Sequence, residues 1–160
     1  MLSPTLLKAL NEQVTHEVHN NHAYLGMKAY FITKSLDGFA GFMDKQAKGE
    51  DDHANKFMAY IQDHHDLVEI GTIEKQKATF KNALELFHAA LELEKGTTAK
   101  IKALYQLAIK ENDFATQAML DWFVAEQVEE ETTIQKVIDK LEGIGSTYVG
   151  LIILDEQLAG

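Results

Sequence analysis

The sequence predicts an all-α protein, a four-helix bundle with a long crossover between helices two and three and a short fifth helix at the C-terminus. Apolar residues recur at steps of three, four and seven through four long segments, which is the period of a helix with one buried face. The 160-residue chain has a single proline, Pro4, and its glycines fall mainly between the periodic segments. Residues 1–160 are therefore predicted to form one domain.

Local end signals divide the chain into five helices. Ser3 followed by Pro4 predicts an N-cap and a first helical position, and Asn82 with Glu85 three residues later resembles a capping box. Residues 66–81 have no sustained helical period and form the predicted crossover. Together with Asp37-Gly38, Asn112-Asp113 and the break GIGS, these signals predict helices over about 4–33, 38–65, 83–111, 114–142 and 147–158.

Charge and composition exclude several classes of partner and site. The net charge is −10, from 25 acidic residues against 15 lysine and arginine residues. The basic residues form no cluster, so we expect neither nucleic acid nor an anionic membrane as a partner. Because the chain has no cysteine, any metal ion must be held by oxygen and nitrogen atoms. The N-terminus has no secretion signal and no stretch approaches the length of a membrane span, so we expect a cytoplasmic protein.

Each of the four long helices has polar residues in the middle of its apolar face. The first predicted inward row consists of Leu10, Val14, Glu17, Tyr24, Leu25 and Phe31. The other polar interruptions are Glu50 and His53 in the second helix, Glu94 in the third, and Gln127 and Glu130, with Glu126 at the edge, in the fourth. In an antiparallel bundle these positions lie near the same height.

A shared cation would explain these polar side chains. Unpaired buried carboxylates are costly, whereas one ion satisfies several of them together. Glu50 and His53, at i and i+3, project from one side of a helix and can approach the same ion. Four carboxylates and one imidazole suit iron or manganese, and they have enough charge for two divalent ions.

Simpler interpretations compete with metal binding for the acidic residues. An isolated Glu50–His53 pair would more often be a hydrogen-bonded pair in the core, but five polar elements on four helices favour a metal site. Glu126 and Glu129 stay open between a path for iron and a solvated acidic face. The solvated face is our interpretation of Glu131.

The remaining aromatic and histidine residues are less informative. Tyr24 and Trp122 would serve packing alone if nothing else pointed to the site, because that is the more frequent role of aromatics on a bundle face. His16, His19 and His22 are interpreted as incidental surface histidines, and His19 and His22 are expected to project away from the Glu17 side.

The chain resembles the prokaryotic non-haem ferritins over nearly its whole length. The similarity extends from LNEQVTHEVHNNHAYLGM through GEDDHANKF, LELE and DWFVAEQVEEE to LIILDEQL. It implies a single ferritin-like domain in which Glu17, Glu50 and His53 hold one iron. The resemblance assigns the second iron to a bridging Glu50 with Glu94 and Glu130, places Gln127 close by, and makes Tyr24 and Trp122 supporting residues.

The resemblance also implies an activity. Members of this family oxidise Fe(II) with O2 or H2O2 at a di-iron centre within each subunit, and are therefore ferroxidases. They store the ferric mineral inside a hollow homo-oligomeric shell of about twenty-four subunits. The alternative is a related di-metal carboxylate oxidase or peroxidase that stores no mineral.

Two positions depart from related patterns. Bacterioferritins have a haem-ligating methionine directly after the second-helix glutamate, where this chain has Asp51, so we predict no haem. Prokaryotic ferritins commonly have a third iron site, built from a glutamate before the bridging one and from carboxylates that match Glu126, Glu129 and Glu130. Here Gly49 stands at the first of these positions and supplies no ligand, so we expect the third site to be weakened, remodelled or lost.

Overall fold

The computed structural model describes residues 1–145 and 147–160, and it has five helices and no strand within those residues. Their bounds are α1 Pro4–Thr33, α2 Asp37–Asp63, α3 Ala83–Lys110, α4 Phe114–Ile144 and α5 Tyr148–Ala159. The predicted all-α class, with four long helices and a short fifth one, is confirmed. The predicted break GIGS includes Ser146, which lies outside the described residues.

Side-chain caps explain where the helices begin. Ser3 Oγ accepts a hydrogen bond from the Leu6 N–H at 3.1 Å, and Pro4 occupies the first helical position. At the start of α3, Asn82 Oδ1 accepts from the Glu85 N–H at 2.9 Å. The side chains of Asp113 and Thr147 cap α4 and α5 in the same way. Each cap satisfies an amide that has no partner inside its helix.

The crossover between α2 and α3 follows the surface of α1. Residues 66–80 have no regular secondary structure. Asn11 binds this segment through both polar atoms of its side-chain amide. Its Nδ2 donates to the Leu67 carbonyl at 3.0 Å, and its Oδ1 accepts from the Glu69 N–H at 2.8 Å. On either side of this crossover the helices pack as an α1–α2 pair and an α3–α4 pair, with further contacts between α1 and α3.

The core consists of two apolar clusters separated along the helices by a polar layer. The first cluster includes Met27, Phe31, Phe39, Met43, Phe87, Ile134 and Ile138. The second includes Leu6, Leu10, Val14, Phe57, Ile61, Ile101 and Phe123. Because both clusters exclude water, polar groups between them lie in a medium of low effective dielectric constant, which strengthens their mutual interactions.

One residue of the predicted first row was placed wrongly. Leu25 is 44% exposed, whereas its neighbour Tyr24 is fully buried. Successive residues of a helix are separated by about 100° around the axis. Because the inward row runs through Glu17, Tyr24 and Phe31, Leu25 faces the side of the bundle.

Helix α5 packs against the beginning of α2. Asp155 Oδ1 accepts a hydrogen bond from the Phe39 N–H at 2.8 Å, and this replaces the cap that the apolar side chain of Leu36 cannot provide. A Cβ at Gly38 would lie 1.8 Å from the Asp155 carbonyl oxygen. The close approach of the two backbones therefore requires glycine at position 38.

None of the helices in the described part of the chain is both long and apolar enough to cross a membrane.

Candidate metal centre

The polar layer is formed by one or two side chains from the middle of each long helix. Five of its six members are buried, and the sixth, Glu130, is partly buried. The six residues are Glu17 on α1, Glu50 and His53 on α2, Glu94 on α3, and Gln127 and Glu130 on α4. The helical period places each of them in the inward row of its own helix.

Glu17, Glu50 and His53 form the tightest group in this layer. One potential ligand atom from each residue lies within 4.8 Å of the others. His53 Nδ1 is 3.4 Å from Glu50 Oε2 and 3.9 Å from Glu17 Oε2. Glu50 and His53 point the same way because they are three residues apart on α2, and the packing of α1 on α2 brings Glu17 to them.

Within the described residues, four buried side-chain atoms in the layer have no hydrogen-bond partner. They are Glu17 Oε2, Glu50 Oε2, His53 Nδ1 and Gln127 Oε1. Buried polar atoms without partners are rare in native proteins, and all four of these can offer a lone pair. A divalent cation bound by oxygen and nitrogen would satisfy those of Glu17, Glu50 and His53 together, so these residues fit an iron ion.

The pKa values of the carboxyl groups reflect their burial and the negative charges close to them. Burial raises the pKa of Glu17 well above its usual range, and the negative charge of Glu50 raises it further. Burial is also the main cause of the raised pKa of Glu50. The pKa of Glu130 is raised to about 7, first by burial and then by the charge of Glu94. A bound cation would favour the charged forms and so oppose these shifts.

Glu94 is held by donors on two sides. The Tyr24 hydroxyl donates a hydrogen bond to Glu94 Oε1. Gln127 Nε2 donates to Glu94 Oε2 at 3.2 Å and to Thr98 Oγ1 at 3.4 Å. Burial raises the pKa of the fully buried Tyr24 well above its usual range, so this residue remains a donor. The hydrogen bond gives Tyr24 a role in the layer beyond packing.

A second group of potential ligands lies on the other side of the His53 ring. His53, Glu126 and Glu130 each offer one ligand atom within 4.8 Å of the others, and His53 Nε2 is 3.8 Å from Glu126 Oε1. The two ring nitrogens of His53 thus face two different sets of carboxylates. The resemblance predicts that Glu130 joins Glu50 and Glu94. In this structure Glu130 groups with His53 and Glu126, and, besides burial, the charges of Glu94 and Glu130 both help to raise the pKa of Glu50.

The positions expected to contribute to a third iron site are only partly assembled. Glu126 is partly buried, with a side chain 26% exposed, and Glu129 is exposed and outside both ligand groups found among the described residues. A Cβ at Gly49 would meet no described atom within 4 Å. Position 49 therefore opens onto unfilled space beside the layer.

Aromatic side chains cover His53 on its outer side. The rings of Trp122 and Phe123 lie edge-on to the imidazole, with centroids 5.5 and 5.7 Å away. Trp122 is 41% exposed, and Lys56 Nζ lies 4.3 Å from its ring centroid. Trp122 therefore stands between His53 and solvent.

Two glutamines of the site were missed from the sequence. Gln13 Nε2 donates to Glu17 Oε1 at 2.6 Å, and Gln46 Nε2 donates to Glu130 Oε2 at 2.8 Å. A signal was available, because Gln13 precedes Glu17 by four residues, and Gln46 precedes Glu50 by the same step. Residues at i and i+4 share a helix face, so the amide of Gln13 could have been placed beside Glu17 and that of Gln46 on the inward face of α2.

The interpretation of His16 as an incidental surface residue was wrong. His16 Nε2 lies 2.8 Å from Thr97 Oγ1, and the buried Asn20 donates to the same oxygen at 2.8 Å. Burial is the main cause that lowers the pKa of His16 to about 4. His16 therefore belongs to a polar network that joins α1 to α3 beside the layer.

Comparisons with known proteins identify the family of the chain. The family model described as a Ferritin-like domain matches residues 7–144. The bacterial non-heme ferritin of Staphylococcus haemolyticus is 42% identical over 159 residues, which cover 99% of this chain and 96% of that protein. The corresponding protein of Staphylococcus aureus is 38% identical over 158 residues, or 99% and 95% of the two chains.

Solved structures are similar over the same length. The structure described as a novel open pore ferritin from Archaeoglobus fulgidus matches with a TM-score of 0.97 at 33% sequence identity, and the match covers 99% of this chain and 98% of that one. The family model and the relatives both span well over half of the chain. The chain therefore belongs to the ferritin family.

Proposed function

We propose that this chain is a ferroxidase subunit of an iron-storing ferritin. It would bind Fe(II) in the polar layer, oxidise it with O2 or H2O2, and store the ferric product inside a homo-oligomeric shell. Membership of the ferritin family supports iron storage. The observation that supports oxidation at this place is the set of buried lone-pair atoms on Glu17, Glu50 and His53, which have no partner among the described residues.

Iron is the substrate of this reaction, and the proposal assigns residues to two ions. Glu17 and His53 would hold one ion, Glu94 and Glu130 the other, and Glu50 would lie between them. Carboxylate oxygens are hard ligands and favour Fe(III) over Fe(II), which makes loss of an electron from each ion more favourable. Two ions held side by side could deliver two electrons to one oxidant molecule.

The side chains around the ligands would orient the site and exclude water. Gln13 holds one oxygen of Glu17, and Tyr24 holds one oxygen of Glu94. Trp122 shields the ring of His53 from solvent. Because burial raises the pKa values of Glu17 and Glu50, binding of a divalent ion near neutral pH would release protons from these carboxyl groups.

The product must leave the layer if iron is to be stored. His53 would be the single nitrogen ligand in the proposed set, and Glu130 and Glu126 are only partly buried. These two carboxylates would form the path by which ferric ions leave. Position 49 contributes no carboxylate to this path.

A shell of about twenty-four subunits is part of the proposal. Helix α5 exposes a group of large apolar side chains that a lone subunit would leave in water. They are Tyr148, Val149, Ile152 and Ile153. Contacts between subunits would cover them.

The alternative function is that of a di-metal oxidase or peroxidase that acts on a small molecule. Such an enzyme needs a substrate pocket that opens onto the metal ions. A groove of about 600 Å³ lies between α3 and α4 and is lined by Ile101, Tyr105, Val124 and Gln127, among others. Its described lining includes Gln127 but none of the carboxylates assigned to the two ions. This geometry favours the ferritin function.

The test is anaerobic addition of Fe(II) to the metal-free protein, followed by O2, with the particle mass measured by light scattering. We expect a large shell that retains far more than two irons per subunit. Glu50→Ala should abolish rapid oxidation and leave the shell intact, whereas the exposed Glu92→Ala should behave as wild type. A small particle that binds two irons per subunit and stores none would support the oxidase instead.

A further inference from the structure

We propose that Gln46 is a positioning residue that orients Glu130 for metal binding. This inference rests on the proposed function, because it concerns the ion that Glu130 would hold. Gln46 lies on α2 and Glu130 on α4, so the contact joins two helices that are far apart in the sequence.

The geometry places the Gln46 amide directly on one oxygen of the carboxylate. Gln46 precedes Glu50 by one helical turn, so both side chains leave α2 on the same face. Gln46 Nε2 donates to Glu130 Oε2 at 2.8 Å, which is a normal hydrogen-bond length. Gln46 is itself partly buried, so water competes less for its amide than at an exposed position.

A neutral amide suits this task better than a lysine would. An amide N–H orients a carboxylate and leaves its negative charge available, whereas a lysine would form an ion pair and compete with the incoming cation. The same chemistry recurs in the layer, because Gln13 donates to Glu17 and Gln127 donates to Glu94. At Glu17 the other oxygen has no hydrogen-bond partner among the described residues. Gln46 leaves the second oxygen of Glu130 available in the same manner.

Glu130 depends on such a donor more than its neighbours do. It is only partly buried, and it groups with His53 and Glu126. Position 49 of α2 is a glycine, so no side chain at that position restrains Glu130. The Gln46 amide therefore sets the position from which Glu130 reaches the second ion.

The experiment is calorimetric titration of the metal-free protein with Zn(II), which cannot be oxidised. Gln46→Met keeps the length of the side chain and removes the donor, and Gln46→Ala removes both. The matched control is Gln135→Ala, because Gln135 Nε2 donates to Asp139 Oδ1 at 2.8 Å on the exposed face of α4. Thermal unfolding of each metal-free variant tests whether its fold is intact.

We expect wild type and Gln135→Ala to bind two Zn(II) ions per subunit in two steps. Both Gln46 variants should bind one ion with unchanged affinity and the other about 10-fold more weakly, the lower end of the range for residues that orient metal ligands. Unchanged affinity for both ions in either Gln46 variant would overturn the inference, as would equal weakening of both ions. Failure of the wild-type protein to bind two ions would instead count against the proposed function.

Discussion

His53 Nδ1 lies 3.4 Å from Glu50 Oε2, and neither atom has a hydrogen-bond partner within the described residues. Two buried polar atoms that face each other without a hydrogen bond destabilise the metal-free fold, because neither recovers the hydrogen bonds that it would make with water. A cation between them removes this cost. Under the proposed function, the layer exchanges stability of the metal-free protein for the ability to bind metal, as functional sites commonly do.

Glu50→Gln should therefore stabilise the metal-free protein. The substitution removes a buried group that carries charge at high pH and gives His53 a side chain that can donate to Nδ1. We expect a gain of about 1–3 kcal/mol at about pH 8, measured as a rise in the unfolding midpoint in the presence of a chelator. The exposed Glu92→Gln should change the free energy of unfolding by less than about 0.5 kcal/mol. A lower midpoint for Glu50→Gln would contradict this account.

The pH dependence of the free energy of unfolding should reveal the proton that Glu130 keeps in the folded protein. Its pKa is raised to about 7, chiefly by burial. Between its ordinary pKa and that value, the folded metal-free protein keeps a proton that the unfolded chain has released. The free energy of unfolding therefore falls as pH rises through this window. Glu130→Gln has no carboxyl group at this position, so its free energy of unfolding should not fall in this way. Between about pH 5 and pH 8 its free energy of unfolding should rise relative to that of wild type by up to about 3 kcal/mol.

Denaturant unfolding of both proteins at several pH values, with a chelator present, measures this difference. The pKa of His16 is lowered to about 4, chiefly by burial, and this produces a slope of opposite sign below its ordinary pKa. Both proteins contain His16, so its effect cancels in the comparison. A difference between them that did not change with pH would show that the proton on Glu130 is not the cause.

Tyr24→Phe should destabilise the metal-free protein through Glu94. The change deletes the hydroxyl that donates to Glu94 Oε1 in a fully buried site. Loss of a buried hydrogen bond to a carboxylate costs about 1–3 kcal/mol. Tyr105→Phe is the matched control, because its hydroxyl donates to Asp121 at the surface and should contribute less than about 1 kcal/mol. Equal midpoints for the two variants would argue against a role for Tyr24 in holding Glu94.

Gly38→Ala should loosen α5 from the bundle. The new Cβ would lie 1.8 Å from the Asp155 carbonyl oxygen, so one of the two backbones must move. Overpacking of this kind costs about 1–3 kcal/mol. Gly41→Ala lies on the same helix, meets no described atom within 4 Å, and should gain about 0.5–1 kcal/mol. Thermal unfolding compares the two, and faster amide exchange in α5 of Gly38→Ala alone would support the stated cause.

Gly49→Glu should add a metal site beside the layer. A Cβ at position 49 would meet no described atom within 4 Å, so a side chain can start there without a clash at its first carbon. Its carboxylate would lie on the side of α2 that also presents Gln46, three residues earlier, and about 100° around the axis from Glu50. We expect a third Zn(II) ion per subunit in calorimetric titration. Gly49→Ala should bind the same number of ions as wild type, and an unchanged number in Gly49→Glu would contradict the prediction.

Much of the fold follows from local patterns. The apolar period and the caps at Ser3, Asn82 and Asp113 depend on residues within one or two turns, so the sequence alone predicts the helices that they begin. The position of Leu25 does not follow from a local pattern. An apolar residue next to a buried one satisfies a loose pattern, and only the packing of neighbouring helices decides which of the two is covered.

The candidate site divides in the same way. The inward positions of Glu17, Glu50, His53 and Glu94 follow from helical period, and the structure brings their side chains into one layer. The contacts of Gln13 and Gln46 were missed because a glutamine on an inward row is interpreted as a packing residue until its hydrogen-bond partner is known. The partner of Gln46 is Glu130, which is 84 positions away.

The sequence by itself determined the helical class, the order of the helices and the presence of polar side chains at one height, because these depend on periodicity and on the chemistry of helix ends. The tertiary structure decided which atoms meet. It turned the two nitrogens of His53 toward different carboxylates and placed Asp155 on the Phe39 amide. Such contacts depend on rotamers and on the packing of helices from distant parts of the chain, and local sequence contains neither.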